Sequence, residues 1–494
     1  MKSKRPPTVS ETSALIIKHL YDHRCLCIDQ LYQLLEGIDM IEDITLEKIE
    51  SELQQLSNAD IVTSVELKAP YPMQYIPTKR GVSVLRKVLH TSAKKARSQI
   101  PPQYGIRRSD RPPLNDPLRY FKEKPFGEKY FKLEISYLNC KISPALMPHQ
   151  FHLNCQAIEL MLILKNIPGT TYVDGKHVVF NDSVRPDGMI LIPEYTVIVN
   201  NKPKTIPEKW LFLETDMGNE NMDQLKEKFE GYCLFLRHSP SLFEVQFLIF
   251  FMCRNSKLSP KDCCCAGQIK ASNYKETQKL RKRIDRIKET VFAPCFCMIM
   301  YYGVDVLISP LPRLLAWSRK KILPLYNPEH IVPPTLFGNN ADDWQFQKGD
   351  RYVQDMNKLK YDLLGYNTRH DAYFFFLYCD HSSLAQIAKI EFFNQSMFAF
   401  QEKYNKRPRL IVVAGQTELI NNTIKKCTES YLKSVCFTTY ERLETKPFHE
   451  AIVNVSSKRN AILSEDLSHL IPLESPIFEL APKDDFWDGI GHYD

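Results

Sequence analysis

Two stretches decide the fold, and each joins an apolar run to acidic residues: Arg185-Pro186-Asp187-Gly188-Met189-Ile190-Leu191-Ile192 and Trp210-Leu211-Phe212-Leu213-Glu214-Thr215-Asp216. Both apolar runs have the length and composition of buried β-strands. The first strand begins directly after Asp187, and the second ends at Glu214 and Asp216. We expect the two strands to be neighbours, so that Asp187 and Glu214 lie side by side at one end of a sheet.

An amphipathic helix is predicted after the second strand. Its apolar residues recur at spacings of three and four: Met222, Leu225, Phe229, Tyr232 and Leu236. This period predicts a helix whose apolar stripe packs on the sheet. Gln224, Lys228 and Tyr232 fall on one line along its side.

Two carboxylates and a lysine are the residue types that metal-dependent phosphodiester hydrolysis requires. Mg²⁺ is held in proteins by one or two carboxylates together with phosphate and water, and it stabilises charge on the phosphoryl oxygens. A nearby lysine stabilises that charge further or orients the nucleophile. Asp187, Glu214 and Lys228 therefore predict a DNA-cutting centre that uses Mg²⁺ or Mn²⁺.

This order of acidic and basic residues resembles the PD-(D/E)XK nuclease superfamily. The predicted elements follow the order of that fold, with a helix at 148–165, strands at 172–180, 185–193, 196–200 and 209–215, the amphipathic helix, and a strand at 244–253. One position departs from the pattern, because Asp216 stands where the family's usual lysine follows the glutamate. In some members that lysine lies on the next helix, and Lys228 fits this alternative.

More narrowly, three motifs resemble the replication-relaxation family of Gram-positive plasmids and mobile elements. They are Arg-Pro-Asp-Gly at 185–188, Glu-Thr-Asp-Met-Gly-Asn-Glu at 214–220 and Leu-Lys-Glu-Lys-Phe-Glu-Gly-Tyr at 225–232. The resemblance covers roughly the first half of the chain. It implies a winged helix joined to a nuclease-like core, and it leaves open whether the product is a free end or a strand linked to Tyr232.

The residues implied for the site are Asp187, Glu214, Lys228 and Tyr232 for catalysis, and Asp187, Glu214, Asp216 and Glu159 of the preceding helix for the metal. Each residue also has an ordinary structural interpretation. Pro-Asp-Gly commonly forms a turn, a strand that ends in acid is commonly a solvated edge, and lysines on helices usually face solvent.

Composition predicts an α/β multi-domain protein of the cytoplasm. The chain has 494 residues, of which 44% are hydrophobic, and this is enough for two or three cores. No apolar run has the length of a membrane helix, and the basic start Met1 to Pro7 contains no signal-peptide core, so no membrane association is expected. The 14 cysteines lack the spacing of zinc sites and are expected to be reduced thiols.

Residues 10–90 predict a winged-helix DNA-binding domain. Three helices begin near Ser10, Ile28 and Thr45, strands follow at 61–67 and 74–77, and a last helix covers 82–89. Thr78-Lys79-Arg80-Gly81 opens that last helix and resembles the corresponding motif of bacterial regulators. The presumed recognition helix carries Glu47, Glu50 and Glu52, which repel phosphates. The domain therefore either forms a homodimer or reaches DNA through Lys79, Arg80 and the linker.

Two further basic segments are candidate DNA contacts. Between residues 86 and 112 the sequence has eight basic residues and one acidic residue. The basic residues are Arg86, Lys87, Lys94, Lys95, Arg97, Arg107, Arg108 and Arg111. After the core, a charged helix carries Lys282 and Arg283. Basic segments favour phosphate binding through counterion release, although both are equally compatible with solvated surface. In the connector 113–145, the aromatic residues are expected to dock on the core rather than stack on bases.

The C-terminal part has its own sheet signals at 373–378, 409–414 and 434–437. Residues 374–400 repeat the strand-turn-helix pattern of 211–235, with Asp380 near the position of Asp216. We interpret this part as a degenerate copy of the core that lacks an equivalent of Asp187 and has an apolar residue in place of Glu214. Such a copy would bind without cutting. The shared pattern of an apolar strand and an amphipathic helix is the alternative explanation.

The predicted organisation is a winged helix at 1–92, a basic connector at 93–145, a nuclease-like αβββαβ domain at 146–330 and an α/β lobe at 331–494. Two functions fit it. The first is a Mg²⁺-dependent nickase that acts in plasmid or mobile-element relaxation and replication. The second is a catalytically inactive replication-initiation or regulatory protein. Both bind double-stranded DNA, and both allow a homodimer or a partner protein of replication, transposition or conjugation.

Overall fold

The computed structural model describes residues 9–98, 121, 124, 127–180, 184–199, 202–239, 245–253, 274–323, 343–348, 361–379, 383–414, 434–455 and 460–473. They form a mixed α/β architecture with several sheets. The chain divides into two compact units. The first contains the described residues of 9–195 and 207–217, and the second contains those of 196–206 and from 218 onward.

The first unit begins with three helices, a strand pair and a long helix. Their bounds are α1 Glu11–His23, α2 Ile28–Tyr32, α3 Leu46–Asn58, β1 Val62–Val65, β2 Gln74–Pro77 and α4 Lys79–Ser98. The hydroxyl of Ser10 accepts the Ser13 N–H at the start of α1, and Thr45 caps α3 in the same way. β1 and β2 pair antiparallel. This is the order of elements that the sequence predicts for 10–90.

Helix α4 is longer than the predicted 82–89, because it runs from Lys79 to Ser98. It passes the predicted boundary at residue 92, since no proline lies between Lys79 and Pro101. Its first turn explains the Thr-x-x-Gly motif. The Thr78 hydroxyl accepts the Gly81 N–H at 3.1 Å, and the Thr78 N–H donates to the Ile61 carbonyl at 3.0 Å. Thr78 thus joins α4 to the start of the strand pair.

The remainder of the first unit surrounds three strands. Its bounds are α5 Gly127–Tyr130, α6 Tyr137–Cys140, α7 Met147–Leu164, β3 Thr171–Asp174, β4 Gly188–Ile192 and β7 Lys209–Asp216. β4 pairs antiparallel with β3 and with β7, with Gly188 opposite both Asp174 and Leu213. The prediction that the two acidic stretches form neighbouring strands is therefore confirmed.

Aromatic residues of the connector dock on the core, as predicted. Phe121, Tyr130 and Phe131 are buried. The rings of Phe121 and Phe131 stack at 3.7 Å, and both meet Trp210 of β7 edge to face. Such rings are unavailable for stacking on bases. Tyr120 and Phe126 lie outside the described residues.

The second unit contains a hairpin, β5 Tyr195–Val199 with β6 Lys202–Ile206, followed by helices and two groups of strands. The first group is α8 Met222–Arg237, β8 Gln246–Cys253, α9 Tyr274–Cys297, β9 Asp305–Ser309 and α10 Leu311–Lys321. The second group is β10 Trp344–Lys348, β11 Leu363–Asn367, β12 Ala372–Cys379, α11 Leu384–Tyr404, β13 Arg409–Ala414, β14 Val435–Thr439, α12 Tyr440–Thr445, α13 Phe448–Ala451, β15 Val453–Val455, β16 Asn460–Leu463 and β17 Leu470–Pro472.

Strand direction in the second unit follows the connections. β8 and β9 are parallel and are separated along the chain by α9. β10 to β17 form an eight-stranded sheet in chain order. Within it β12, β13 and β14 are parallel, and the other pairs are antiparallel. The strands predicted at 373–378, 409–414 and 434–437 are found as β12, β13 and β14.

Asp362 directly precedes β11, as Asp187 directly precedes β4. No Pro-Asp-Gly motif surrounds Asp362, so this position was not among the residues that the sequence analysis selected. Asp380, which the sequence aligns with Asp216, lies outside the described residues.

Two composition-based expectations can be compared with the described part of the chain. None of its helices combines the length and apolarity that crossing a membrane requires. Its cysteines are free thiols, and most of them are buried. The run Cys263 to Cys265 lies outside the described residues.

We predict that Gly81→Ala lowers the free energy of unfolding of the first unit by about 1–3 kcal/mol, the usual cost of overpacking. A Cβ at Gly81 would lie 2.3 Å from the Ile61 carbonyl oxygen, so the backbone has to move. Thermal denaturation followed by circular dichroism measures the change. Ser83→Ala is the matched control, because Ser83 is exposed on the same helix. Equal melting temperatures for the two variants would contradict the prediction.

Candidate active site and nucleic-acid interface

The Asp187 carboxylate is fixed at the end of β7 by the backbone. The Asp187 N–H donates to the Leu213 carbonyl at 3.1 Å, and the Thr215 N–H donates to Asp187 Oδ2 at 2.9 Å. The side chain is partly exposed, at 23%. Asp187 therefore has a defined orientation and remains accessible to solvent.

His149, in the first turn of α7, is the second partner of Asp187. Its Nε2 lies 3.2 Å from Asp187 Oδ2 and 3.2 Å from the Thr215 carbonyl oxygen, so a proton on Nε2 is shared between two acceptors. The imidazole is 32% exposed. The sequence did not identify His149, and its place directly after Met147-Pro148 at a helix start was the only available signal.

The segment that carries Asp187 is clamped to the turn after β3. The Gly175 N–H donates to the Asp187 carbonyl at 3.0 Å, and Arg185 Nε donates to the Gly175 carbonyl at 2.8 Å. A Cβ at Gly175 would lie 2.1 Å from the Pro186 carbonyl oxygen. Only glycine permits this close approach of two backbone segments, which explains a residue that the sequence motifs did not include.

Glu214 and Asp216 are fully buried in β7. Between them, Thr215 points toward α7, where its hydroxyl donates to Gln156 Oε1 at 3.3 Å. Because side chains alternate along a strand, Glu214 and Asp216 project from the opposite face of β7. Burial of an ionised carboxylate is costly unless the charge is paired or bound to metal.

The four predicted metal ligands do not form one cluster in the described residues. Within that part of the chain, no group of three or more histidine, cysteine, aspartate or glutamate side chains is arranged to hold a metal ion. β4 and β7 bring Asp187 and Glu214 onto neighbouring strands, and Asp216 follows on β7. Glu159 lies on α7 and is partly exposed. Strand pairing thus brings the backbones of Asp187 and Glu214 together, whereas Glu159 lies on a separate helix.

Lys228 and Tyr232 belong to α8 of the second unit. Lys228 Nζ lies 3.5 Å from Glu220 Oε1, and Arg283 donates to the Glu220 carbonyl at 3.0 Å. Tyr232 is fully buried in the stripe with Leu225 and Phe229. That burial is the ordinary environment of a core residue, and a covalent link between Tyr232 and DNA would require its hydroxyl to be exposed.

Helix α3, the predicted recognition helix, exposes fewer acidic side chains to solvent than its sequence suggests. Glu52 accepts hydrogen bonds from the hydroxyls of Ser10 and Ser13, so it joins α3 to the start of α1. Glu47 and Glu50 are exposed, as expected. The sequence could not distinguish Glu52 from the other two, because its partner residues lie 39 and 42 positions earlier.

The other predicted DNA contacts have different outcomes. Lys79 and Arg80 are exposed at the start of α4, with the Lys79 ammonium 5.9 Å above the Tyr137 ring. Lys282 is exposed on α9. Lys94, Lys95 and Arg97 lie on α4, so they continue a helix rather than a loop. Arg107 and Arg108 lie outside the described residues.

A buried polar network lies behind the strand pair in the first unit. The Arg24 guanidinium donates to Gln150 of α7 at 3.1 Å, and Gln150 donates to Asp174 of β3 at 3.3 Å. Burial raises the pKa of the Asp174 carboxyl above its ordinary value, and the nearby Arg24 opposes that rise. The His23 ring stacks on the Tyr172 ring at 4.4 Å. Burial holds the pKa of the His23 imidazole well below its usual value.

The site thus defines an α/β protein in which two neighbouring strands bring together one partly exposed aspartate, just before β4, and two buried acidic residues at the end of β7. Comparison of the chain with models of protein families, with curated proteins and with solved structures finds no match.

We predict that His23→Phe weakens the acid sensitivity of the first unit. Because His23 stays neutral when folded but binds a proton when unfolded, its contribution is present above the ordinary histidine pKa and is lost as pH falls. The loss is on the order of 1 kcal/mol per pH unit. Phenylalanine keeps the stack on Tyr172 and does not titrate. Melting temperatures at pH 7.5, 6.5 and 5.5 measure the effect.

The matched control for this experiment is His238→Gln, because His238 is exposed at the end of α8. It should retain the full decrease in melting temperature between pH 7.5 and 5.5. The same decrease in the native chain and in His23→Phe would show that His23 is not the responsible group.

Proposed function

We propose that the chain binds double-stranded DNA and cuts one strand by metal-dependent phosphodiester hydrolysis. The observation that carries the proposal is the pairing of β4 with β7. This pairing brings the partly exposed Asp187 beside the strand whose end holds the buried Glu214 and Asp216. Carboxylates are the residue types that such hydrolysis needs.

The donor set fits Mg²⁺ or Mn²⁺ better than metals that favour thiolate or imidazole ligands. Asp187 and Glu214 offer oxygen ligands, and Mg²⁺ typically takes one or two carboxylates and completes its shell with water and phosphate. When bound, the ion would stabilise charge on the phosphoryl oxygens. Thr215 and His149 would keep the Asp187 carboxylate in one orientation throughout.

The proposed DNA-binding part is a winged helix formed by α1 to α4, β1 and β2. The order of these elements and the exposed Lys79 and Arg80 support it. The exposed acids Glu47 and Glu50 of α3 disfavour a phosphate contact by that helix. We therefore assign the DNA contact to the start of α4, with Lys94, Lys95 and Arg97 extending the basic character along the same helix.

A second candidate is a DNA-binding protein that does not cut. One observation favours it, because the Asp187 carboxylate is already held by the Thr215 N–H and by His149, and this alone gives it a structural role. A replication-initiation or regulatory factor of a plasmid or mobile element, alone or with a partner protein, is the proposed setting for either function. The motifs at 185–188, 214–220 and 225–232 are its support.

We predict that native protein with Mg²⁺ converts supercoiled plasmid to open circles and that Glu214→Gln abolishes this reaction. Glutamine keeps the size of the side chain and removes the charge. Lys228→Ala should lower the rate by about 10²–10³-fold, the usual effect of removing one charge-stabilising donor. Agarose gels with time courses, in Mg²⁺ and in EDTA, provide the measurement.

The chain offers a matched control for each variant. Glu194→Gln changes an exposed glutamate of the first unit, and Lys226→Ala changes an exposed lysine of α8. Both should cut at the native rate. A mobility shift of the plasmid without any open circles would reject the nuclease and select the non-cutting candidate.

A further inference from the structure

The environment of Asp187 occurs a second time in the second unit. Asp187 N–H donates to Leu213 at 3.1 Å, and Asp362 N–H donates to Phe376 at 3.1 Å. Asp187 Oδ2 accepts the Thr215 N–H at 2.9 Å, and Thr215 lies two residues beyond Leu213. Asp362 Oδ2 accepts the Tyr378 N–H at 2.8 Å, and Tyr378 lies two residues beyond Phe376. Each aspartate thus bonds to the neighbouring strand by the same pair of hydrogen bonds.

The strand pairing around the two aspartates is also the same. In the first unit Gly188 lies opposite Leu213 of β7 and opposite the last residue of β3. In the second unit Leu363 lies opposite Phe376 of β12 and opposite Lys348, the last residue of β10. β3-β4-β7 and β10-β11-β12 are therefore antiparallel triplets in the same register. The hairpin β5–β6 is inserted only in the first.

The elements that follow each triplet along the chain also correspond. α8 is capped by Asn221, which accepts the Gln224 N–H, and α11 is capped by Ser383, which accepts the Gln386 N–H. Each helix precedes a parallel strand pair, β8 with β9 and β13 with β14. The two sets share the strand register, the aspartate cap and the position of the helix start. A common strand-helix pattern alone does not require all three to agree.

The differences between the two sets fall on the proposed functional residues. Counting from the matched hydrogen bonds and caps, Leu377 stands for Glu214, Cys379 for Asp216 and Ile390 for Lys228. All three substitutes are apolar and buried. The aspartate that caps the strand is present in both sets, whereas Glu214, Asp216 and Lys228 have no acidic or basic counterpart at these three matched positions.

We infer that β10 to β14 with α11 are a second copy of the module that carries the proposed active site, and that this copy does not cut DNA. This rests on the proposed function for the first copy. At the three matched positions, Leu377, Cys379 and Ile390 offer neither the carboxylates for a divalent ion nor the lysine for the phosphate that the first copy has. A single chain therefore cuts one strand of a duplex, and its product is a nick.

The duplication is tested without reference to activity by amide hydrogen exchange of the full chain. Asp187→Ala removes the acceptor of the Thr215 N–H, and Asp362→Ala removes that of the Tyr378 N–H. A hydrogen bond to a charged acceptor is strong enough that each variant should accelerate exchange at its own amide by about tenfold to a hundredfold. The other amide should be unchanged.

Asp187→Asn and Asp362→Asn keep an acceptor oxygen and should restore most of the protection, so they replace the alanine variants if those fail to fold. Native exchange at Tyr378 in Asp362→Ala would overturn the equivalence of the two aspartates.

The one-strand cut is tested with supercoiled plasmid, Mg²⁺ and protein at concentrations where size-exclusion chromatography finds a monomer. We expect open circles without linear DNA. Asp362→Ala should cut within about twofold of the native rate and Asp187→Ala should not cut, although both lose the same backbone bond.

Linear DNA formed at the rate of the open circles would overturn the one-strand inference and leave the proposed nuclease standing. No cut by the native chain would overturn the proposed nuclease and the one-strand cut together, and the exchange experiment would then decide the duplication alone.

Discussion

The hydrogen bond from the Thr215 N–H to the Asp187 carboxylate is the contact on which the strand pair depends. A charge-assisted bond at the end of two antiparallel strands is stronger than a neutral ladder bond and satisfies a backbone donor where regular pairing stops. It fixes the place where β4 begins and β7 ends. Gly175 completes the arrangement, because its lack of a Cβ allows the segment before β4 to lie against the turn after β3. The orientation of one carboxylate therefore follows from backbone geometry.

The N-terminal helices and the acid-bearing strands form one compact unit. Arg24 reaches Gln150 of α7 and the Lys141 carbonyl, and Asn154 of α7 donates to the carbonyls of His23 and Cys25. Arg24 adopts a positive φ of 66°, a conformation that non-glycine residues rarely take and that the surrounding hydrogen bonds must stabilise. A polar, hydrogen-bonded contact of this kind specifies one arrangement of helices on strands more sharply than apolar packing does.

The two copies agree in one carboxylate and differ in two. Asp187 and Asp362 make the same bonds, so the aspartate is explained by its backbone partner alone in at least one of the two places. At the positions of β12 that correspond to Glu214 and Asp216, the chain has the buried residues Leu377 and Cys379. The acidic residues of β7 therefore distinguish the first copy from the second.

Sequence alone predicted the helices and strands of residues 10–90, the acidic strands β4 and β7 and the strands β12 to β14, because hydrophobic period and capping are local properties of the chain. It also predicted the adjacency of the two acidic stretches and the docking of the aromatic connector. Tertiary structure alone decided the partners of individual side chains. His149 beside Asp187, Glu52 on the hydroxyls of α1 and Asp362 as the counterpart of Asp187 all depend on residues distant in sequence. No local pattern encodes such contacts, since they exist only once the register and packing of the elements are fixed.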